Sequence, residues 1–539
     1  MVMISHAQLN LTAEQWREDL RFLQETVHKD YNFLFVKTTP ETFNASVEDL
    51  YSNIPNLEEH EIIIGFAKLV SSFKYGHTVL GFRYQPQMLH QLPYNMYQFK
   101  DGIYIQGTHR DYTNTLGAKV IRIAGVPIEE ALKKIYPIVP SENDQFFKAY
   151  FPGYLNMPEI LHAQGIIPEL TTSVELTLEK DGTTFNQVFN SLPIGERFNT
   201  RYNLVGNDGD WVEARDQSAT PNYLKKLDKI YYYEYLEDSK TVYLRHSQIQ
   251  HDPEEDTPTF YRRVFDFIEN NDVEQLVIDL RHNGGGNNYY NRPVIKEIIR
   301  SDKINQVGKL FVIIGRRTFS ACQNLVNEMS NYTNAIFVGE PTSENINFYG
   351  DNRRVELPNS KIPAYLSFAW WQDKAPWEGK EWMPPHIPVE MTYKEYTTNQ
   401  DPVLEAAINY SEENYILDPM TYFTNLFLKG EIEKLQNEAV RMVNHPNYKF
   451  FDFEGEFSRA GKNLLDSNQT KEAIFVFNML TQLFPNSPNV WDSLAGGFLK
   501  AGDKEKAKQF YNKAISLDPQ GSVGENARKI LNKIREGHR

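Results

Sequence analysis

Apolar residues in the first 75 positions recur at the spacing of an amphipathic helix. Trp16, Leu20, Leu23 and Val27 lie three or four residues apart, which places them on one face of a helix. Two further runs of this kind follow before position 75. The pattern therefore predicts an N-terminal helical cap over residues 8–82.

The last 80 residues repeat with a period of 34. Ala473 recurs as Ala507 and Phe477 recurs as Tyr511, which matches the small and aromatic positions of a tetratricopeptide unit. We predict such repeats over 454–537, after a helical connector at 411–453. Two units are fewer than a free-standing solenoid usually needs, so we expect them to pack on preceding helices or on the rest of the chain.

The middle of the chain changes from helical to β-type patterning. Short β-type runs broken by turn residues predict a β-rich insert over 83–200. Residues 116–127, followed by a helical pattern, resemble the strand-turn-helix segment of a PDZ-like module. Turn-forming residues then predict a linker over 201–239.

Strands and helices alternate from 240 to 410, which is the pattern of an α/β domain. Its strand candidates are short and apolar throughout, as expected of strands buried on both faces. We therefore expect a multidomain α/β protein.

Composition narrows the class of protein. A chain of 539 residues should hold about three or four domains. With 56 basic and 71 acidic residues the net charge is −15, which disfavours a nucleic-acid partner. The single cysteine, Cys322, permits no internal disulfide.

The N-terminus allows two interpretations. No apolar run approaches the roughly 18 residues of a membrane span. Ser5, His6 and Ala7 could be the end of a truncated signal peptide with a cleavage site after Ala7, or an ordinary frayed terminus.

A glycine triplet follows the strand candidate at 276–280. Gly284, Gly285 and Gly286 would let backbone N–H groups approach a ligand or a developing oxyanion. A dinucleotide-binding loop is disfavoured, because position 289 holds Tyr where a third glycine is needed. A purely structural turn remains an alternative at this point.

Ser320 is the first candidate nucleophile. It follows a strand and precedes an apolar-periodic helix, where the helix dipole favours negative charge, although serine is also a common helix N-cap. A serine nucleophile needs a base, and His77 is the best candidate. The 13 histidines show no paired metal-ligand spacing, so no metal site is predicted.

These segments together resemble the tail-specific, or C-terminal processing, protease family, which includes the tricorn protease core and interphotoreceptor retinoid-binding protein. The resemblance is carried by Asp-Leu-Arg-His-Asn-Gly-Gly-Gly at 279–286, Thr-Phe-Ser-Ala at 318–321 and Val-Gly-Glu-Pro-Thr at 338–342. Gly-His-Thr at 76–78 and the run 382–389 agree with it. The resemblance covers about residues 10 to 410.

The resemblance implies a serine-type peptidase with a crotonase- and ClpP-like α/β spiral core, a PDZ-like insert and an N-terminal helical cap. Ser320 would be the nucleophile. The N–H of Ala321, with that of Gly284 or Gly285, would form the oxyanion hole. No cofactor is expected.

The chain departs from one branch of this family. Ser-Lys members carry a lysine about 25 positions after the serine, and position 345 here is Asn. Tricorn-like members use a histidine and a late glutamate instead, which implies His77 and Glu378. Three other carboxylates compete with Glu378 for this role: Asp373, Glu381 and Glu340. The usual Pro-Asp before the last core strand is here Pro-His, at 385–386.

The expected substrate is a peptide or an unfolded protein, with a further protein partner possible at the helical repeats. Two alternatives stay open: a catalytically inert ligand-binding or peptide-binding protein on the same fold, and a scaffold that acts through its repeats. Relatives of this kind are commonly exported, so we expect a periplasmic or secreted protein, while a cytoplasmic one would share every other feature.

Overall fold

The structure is a computed structural model that describes residues 9–84, 89–413 and 415–536. The suggested cleavage site at Ser5 to Ala7 lies outside the described residues. The chain divides into two compact units, Met1–Tyr410 and Ser411–Arg539. No helix within the described ranges is both long and apolar enough to cross a membrane.

The first unit begins with three helices. They are α1 (Ala13–Asp30), α2 (Pro40–Asn53) and α3 (Glu59–Ser71). The α1 helix begins at a capping box in which Thr12 and Gln15 satisfy each other's backbone N–H groups. After α3 the chain passes through His77 into the short strand β1 (Val79–Leu80).

A β-sheet with inserted helices follows the cap. Its strands run in the order β2-β3-β4-β6-β7, with β5 on β4 and β8 on β3. The strands are β2 (Tyr94–Phe99), β3 (Gly102–His109), β4 (Lys119–Ile123), β5 (Val126–Pro127), β6 (Ser173–Lys180), β7 (Thr183–Asn190) and β8 (Trp211–Glu213). The helices between β5 and β6 are α4 (Ile128–Ile135), α5 (Asp144–Tyr150), α6 (Pro152–Leu155) and α7 (Pro158–Ala163). Cap and sheet share one continuous apolar core.

A second sheet has the order β16-β13-β12-β11-β10-β9 and is parallel except for β9. Its strands are β9 (Tyr231–Leu236), β10 (Thr241–His246), β11 (Gln275–Asp279), β12 (Leu310–Ile314), β13 (Ile336–Gly339) and β16 (Ile387–Pro388). The helices α8 (Thr257–Asn270), α9 (Asn291–Arg300) and α10 (Ala321–Tyr332) connect them, and α11 (Tyr393–Thr397) and α12 (Pro402–Ile408) follow β16. Every residue of β10 and of β12 is buried.

The turn residues of 201–239 predict a linker, but in the structure this stretch also contains two strands. It contributes β8 to the first sheet and β9 to the second. The β9 strand shows little alternation of apolar and polar residues, because its sequence is Tyr-Tyr-Tyr-Glu-Tyr-Leu. It lies at the edge of the second sheet. A separate hairpin of β14 (Asn347–Glu356) and β15 (Pro363–Gln372) pairs with β1.

The second unit is helical. Its helices are α13 (Pro419–Leu428), α14 (Ile432–Val443), α15 (Phe453–Asp466), α16 (Thr470–Leu483), α17 (Pro488–Lys500), α18 (Lys504–Leu517) and α19 (Ser522–Glu536). The repeat positions Ala473, Phe477, Ala507 and Tyr511 are all buried. Ala473 and Phe477 belong to the same apolar core as residues of α13 and α14.

Asp19 of α1 holds the β14–β15 turn, and its loss should destabilise the first unit. Its buried carboxylate accepts the N–H groups of Asn359 and Ser360 at 2.7 and 2.8 Å. Because Asp19→Ala leaves both N–H donors without their acceptor, we expect the free energy of unfolding to fall by about 3 kcal/mol. Amide exchange at 359–360 should accelerate and the melting temperature should fall, whereas Asp30→Ala, at an exposed position of α1, should change neither. Unchanged exchange at 359–360 would contradict the assignment.

Candidate active site

Ser320 lies between β12 and α10, on a strained backbone. Its φ of 57° and ψ of −131° belong to a region that residues other than glycine rarely adopt. The loop before it is anchored, because the Phe319 N–H donates to the Asn283 carbonyl at 3.1 Å and Thr318 Oγ1 donates to the Leu280 carbonyl at 3.0 Å. The strand-to-helix turn is therefore held by the glycine-rich segment beside it.

His77 meets Ser320 across 243 positions of sequence. Its Nε2 lies 2.9 Å from Ser320 Oγ, which is hydrogen-bond distance. The imidazole stacks on Phe319, with centroids 4.6 Å apart and planes at 20°, and is nearly parallel to Phe348. The side chain is 13% exposed, so the ring is fixed by packing and still open to the site.

Glu344 lies against the other side of the imidazole. Its Oε1 is 3.1 Å from His77 Nδ1, although without the alignment of a full hydrogen bond. Its Oε2 accepts the backbone N–H of Ser320. The carboxyl is fully buried, so Glu344 contacts both partners of the His77–Ser320 pair.

The position expected for Glu378 at His77 is thus taken by Glu344. Glu378 is half-buried in the segment after β15, where its N–H donates to the Ala375 carbonyl at 2.9 Å. The structure gives it no contact with His77. The sequence offered one signal for Glu344: it immediately precedes Asn345, the position at which the Ser-Lys branch carries its lysine.

The three competing carboxylates also lie elsewhere. Asp373 accepts from Asn324 Nδ2 at 2.6 Å. Glu340 forms a bidentate salt bridge with Arg316. The backbone carbonyl of Glu381 accepts a hydrogen bond from Asn143 Nδ2 at 2.6 Å. None of these contacts involves His77.

The family resemblance implies an oxyanion hole formed by the N–H of Ala321 with that of Gly284 or Gly285. The N–H groups of Gly284 and Ala321 donate to no group among the described residues. The N–H of Gly285 is engaged, because it donates to Asn283 Oδ1 at 3.0 Å. Gly285 must be glycine: its φ is 96°, and a Cβ there would lie 2.5 Å from Ser320 Cβ.

Burial sets the charge state of the two partners of Ser320. It lowers the pKa of His77, so the imidazole is neutral near pH 7 and its Nε2 can accept a proton. Burial raises the pKa of Glu344 well above its ordinary value. The hydrogen bond from the Ser320 N–H lowers this pKa, but its effect is smaller than that of burial. A second buried carboxyl, Glu142, lies beside this pair.

Two groups of side chains within the described residues could hold a metal ion by proximity. One is His77, Glu142 and Glu344 and the other is Glu58, His60 and His162. In the second group His60 Nε2 already bonds His162 Nδ1 at 2.8 Å. In the first, His77 Nε2 is committed to Ser320.

Comparisons with known proteins support the fold. No protein-family model matches the chain, and no curated protein does. Among solved structures, mature CPAF complexed with lactacystin is 13% identical over 74% of this chain and 99% of that chain, with a TM-score of 0.51. A CPAF mutant is 12% identical over 74% of this chain and 98% of that chain, with a TM-score of 0.52.

A further match is the photosystem II D1 C-terminal processing protease, at 13% identity over 73% of this chain and 99% of that chain. Its TM-score of 0.33 is too low to support an argument. About three quarters of the chain therefore has a mixed α/β, multidomain fold similar to that of mature CPAF.

Proposed function

We propose that this protein is a serine-type peptidase in which Ser320 is the nucleophile, His77 the general base and Glu344 the acid that orients it. The observation that carries the proposal is the 2.9 Å contact between His77 Nε2 and Ser320 Oγ. A protein that only binds ligands, or that acts only through its helical repeats, has no need for these side chains to meet.

The reaction follows from the geometry. Neutral His77 takes the Ser320 proton on Nε2 as Oγ attacks the peptide carbonyl. Glu344, at 3.1 Å from Nδ1, favours the tautomer with its proton on Nδ1 and stabilises the imidazolium. The N–H groups of Gly284 and Ala321 receive the oxyanion. His77 then protonates the leaving amine, and water hydrolyses the acyl-enzyme.

The remaining parts of the proposal concern substrate and architecture. The substrate is a peptide or unfolded protein, and the α/β core is crotonase- and ClpP-like. The β-rich insert is PDZ-like and would position an extended segment by strand addition. The helical unit consists of tetratricopeptide repeats that bind a protein partner, and the protein acts outside the cytoplasm.

Replacing Ser320 should abolish covalent labelling. A fluorophosphonate probe acylates an activated serine, so Ser320→Ala should lose labelling and peptidase activity completely. Ser330→Ala is a matched control, because Ser330 is exposed and its hydroxyl accepts from Lys374 Nζ at 2.9 Å, away from His77; it should label like the wild type. Labelling that persists in Ser320→Ala would overturn the assignment of the nucleophile.

Substitutions of Glu344 and Glu378 test which of the two carboxylates orients His77. In Glu344→Gln an amide can donate to His77 Nδ1, which forces the imidazole proton onto Nε2 and blocks acceptance from Ser320. We therefore expect kcat to fall by about 10³- to 10⁴-fold. Glu378→Gln should stay within about twofold, as for other substitutions away from a site. The reverse ranking of the two variants would restore Glu378 as the triad acid.

A further inference from the structure

Glu142 bonds the backbone on both sides of the site. Its Oε1 accepts the Gly76 N–H at 2.9 Å, and its Oε2 accepts the Asn345 N–H at 3.1 Å. Gly76 immediately precedes His77, and Asn345 immediately follows Glu344. One carboxyl group thus ties the segment of the base to the segment of the acid.

The segment that carries Glu142 is itself fixed. Asn143 Nδ2 donates to the carbonyls of Thr342 and Glu381, at 3.4 and 2.6 Å. Asn143 Oδ1 also caps α5 by accepting the Phe146 N–H at 3.0 Å. These bonds hold the insert against the 342–345 segment, so Glu142 has little freedom to move away.

The same carboxyl belongs to a buried cluster of charges. Ligand atoms of His77, Glu142 and Glu344 all lie within 4.8 Å of one another. Lys37 attracts both carboxylates. Burial and the neighbouring Glu344 raise the pKa of Glu142 to about 7. Two carboxyl groups so close together do not both ionise readily, and they titrate as a pair.

Other charged and titratable groups face the cluster from neighbouring segments. They are Asp351 on the side of His77, Lys74 and Glu381 on the side of Lys37, and Tyr75 on the side of Glu142.

A cavity of about 660 Å³ reaches Glu142 from outside. Its walls include Lys37, Lys74 and Asn345, whereas Ser320 and His77 do not line it. Glu142 therefore borders a cavity that is separate from the side-chain contact between His77 and Ser320.

We propose that Glu142 is a positioning residue of the Ser320 site: its carboxyl ties the His77 and Glu344 segments together, and its negative charge sets how readily His77 and Glu344 take up protons. The catalytic consequence rests on the proposed peptidase function. The local claim, that Glu142 sets the protonation of His77 and Glu344, does not.

The test is Glu142→Gln, measured by the pH dependence of kcat/KM. The activity requires neutral His77 and ionised Glu344, and a negative Glu142 favours protonation of both. Removing that charge makes the cluster harder to protonate. The acidic limb of the profile should therefore move to lower pH by about one unit. The value of kcat at the optimum should also fall by about tenfold, because the new amide can accept only one of the two N–H bonds.

A matched control is available in the same unit. Glu159 is fully buried and accepts the His90 N–H with both carboxylate oxygens at 3.1 Å. Both Glu159→Gln and Glu142→Gln should lower thermal stability, but Glu159→Gln should leave the pH profile in place. A profile for Glu142→Gln that overlays the wild type would overturn the proposal, since a merely structural residue would give that result.

A second measurement separates this proposal from the peptidase proposal. The NMR titration of the His77 Cε1–H, assigned with His77→Gln, needs no substrate, and its midpoint should fall in Glu142→Gln. If the wild type neither cleaves peptides nor reacts with fluorophosphonate, but the midpoint still falls in Glu142→Gln, the peptidase function alone is refuted. An unchanged midpoint would refute the role of Glu142 alone.

Discussion

The burial of one polar contact constrains much of this structure. Ser320, His77 and Glu344 come from three separate segments and meet largely out of water, where an unpaired polar group is costly. Each must therefore find its partners within the protein. The insert reaches this point through Phe146 of α5, which packs on Phe319, and Phe319 and Phe348 flank the imidazole.

Backbone geometry at the site is as constrained as its side chains. Ser320 keeps a left-handed φ although it has a Cβ, and such strain persists only where surrounding bonds hold it. Asn283 supplies three of these bonds: its carbonyl accepts from Phe319, its side chain accepts from Gly285, and its amide donates to the His246 carbonyl. The glycine-rich segment thus fixes the Ser320 turn, and within the described residues the Gly284 N–H has no acceptor.

The sequence was informative where periodicity or a motif is local. The cap helices, the strand before Ser320 and the helix after it follow from spacing, and the family resemblance pointed to His77. Glu344 was missed because the choice among carboxylates depends on how 342–345 folds back on His77, which no local pattern encodes. The β9 strand was missed because a run of tyrosines next to many turn residues carries no clear alternation.

Position 345 is Asn, and a lysine from another segment supplies a positive charge to the two buried carboxyl groups. Lys37, from the turn between α1 and α2, interacts electrostatically with both carboxyl groups and donates to the Lys74 carbonyl at 2.9 Å. With Lys37 charged, His77 neutral and one proton shared by Glu142 and Glu344, the four groups carry no net charge. Transfer of the Ser320 proton to His77 then makes an imidazolium as the oxyanion forms, so the site remains neutral in the proposed reaction. This balance depends on one of the two carboxyl groups holding a proton, and backbone N–H groups stabilise the ionised form of both, one on Glu344 and two on Glu142.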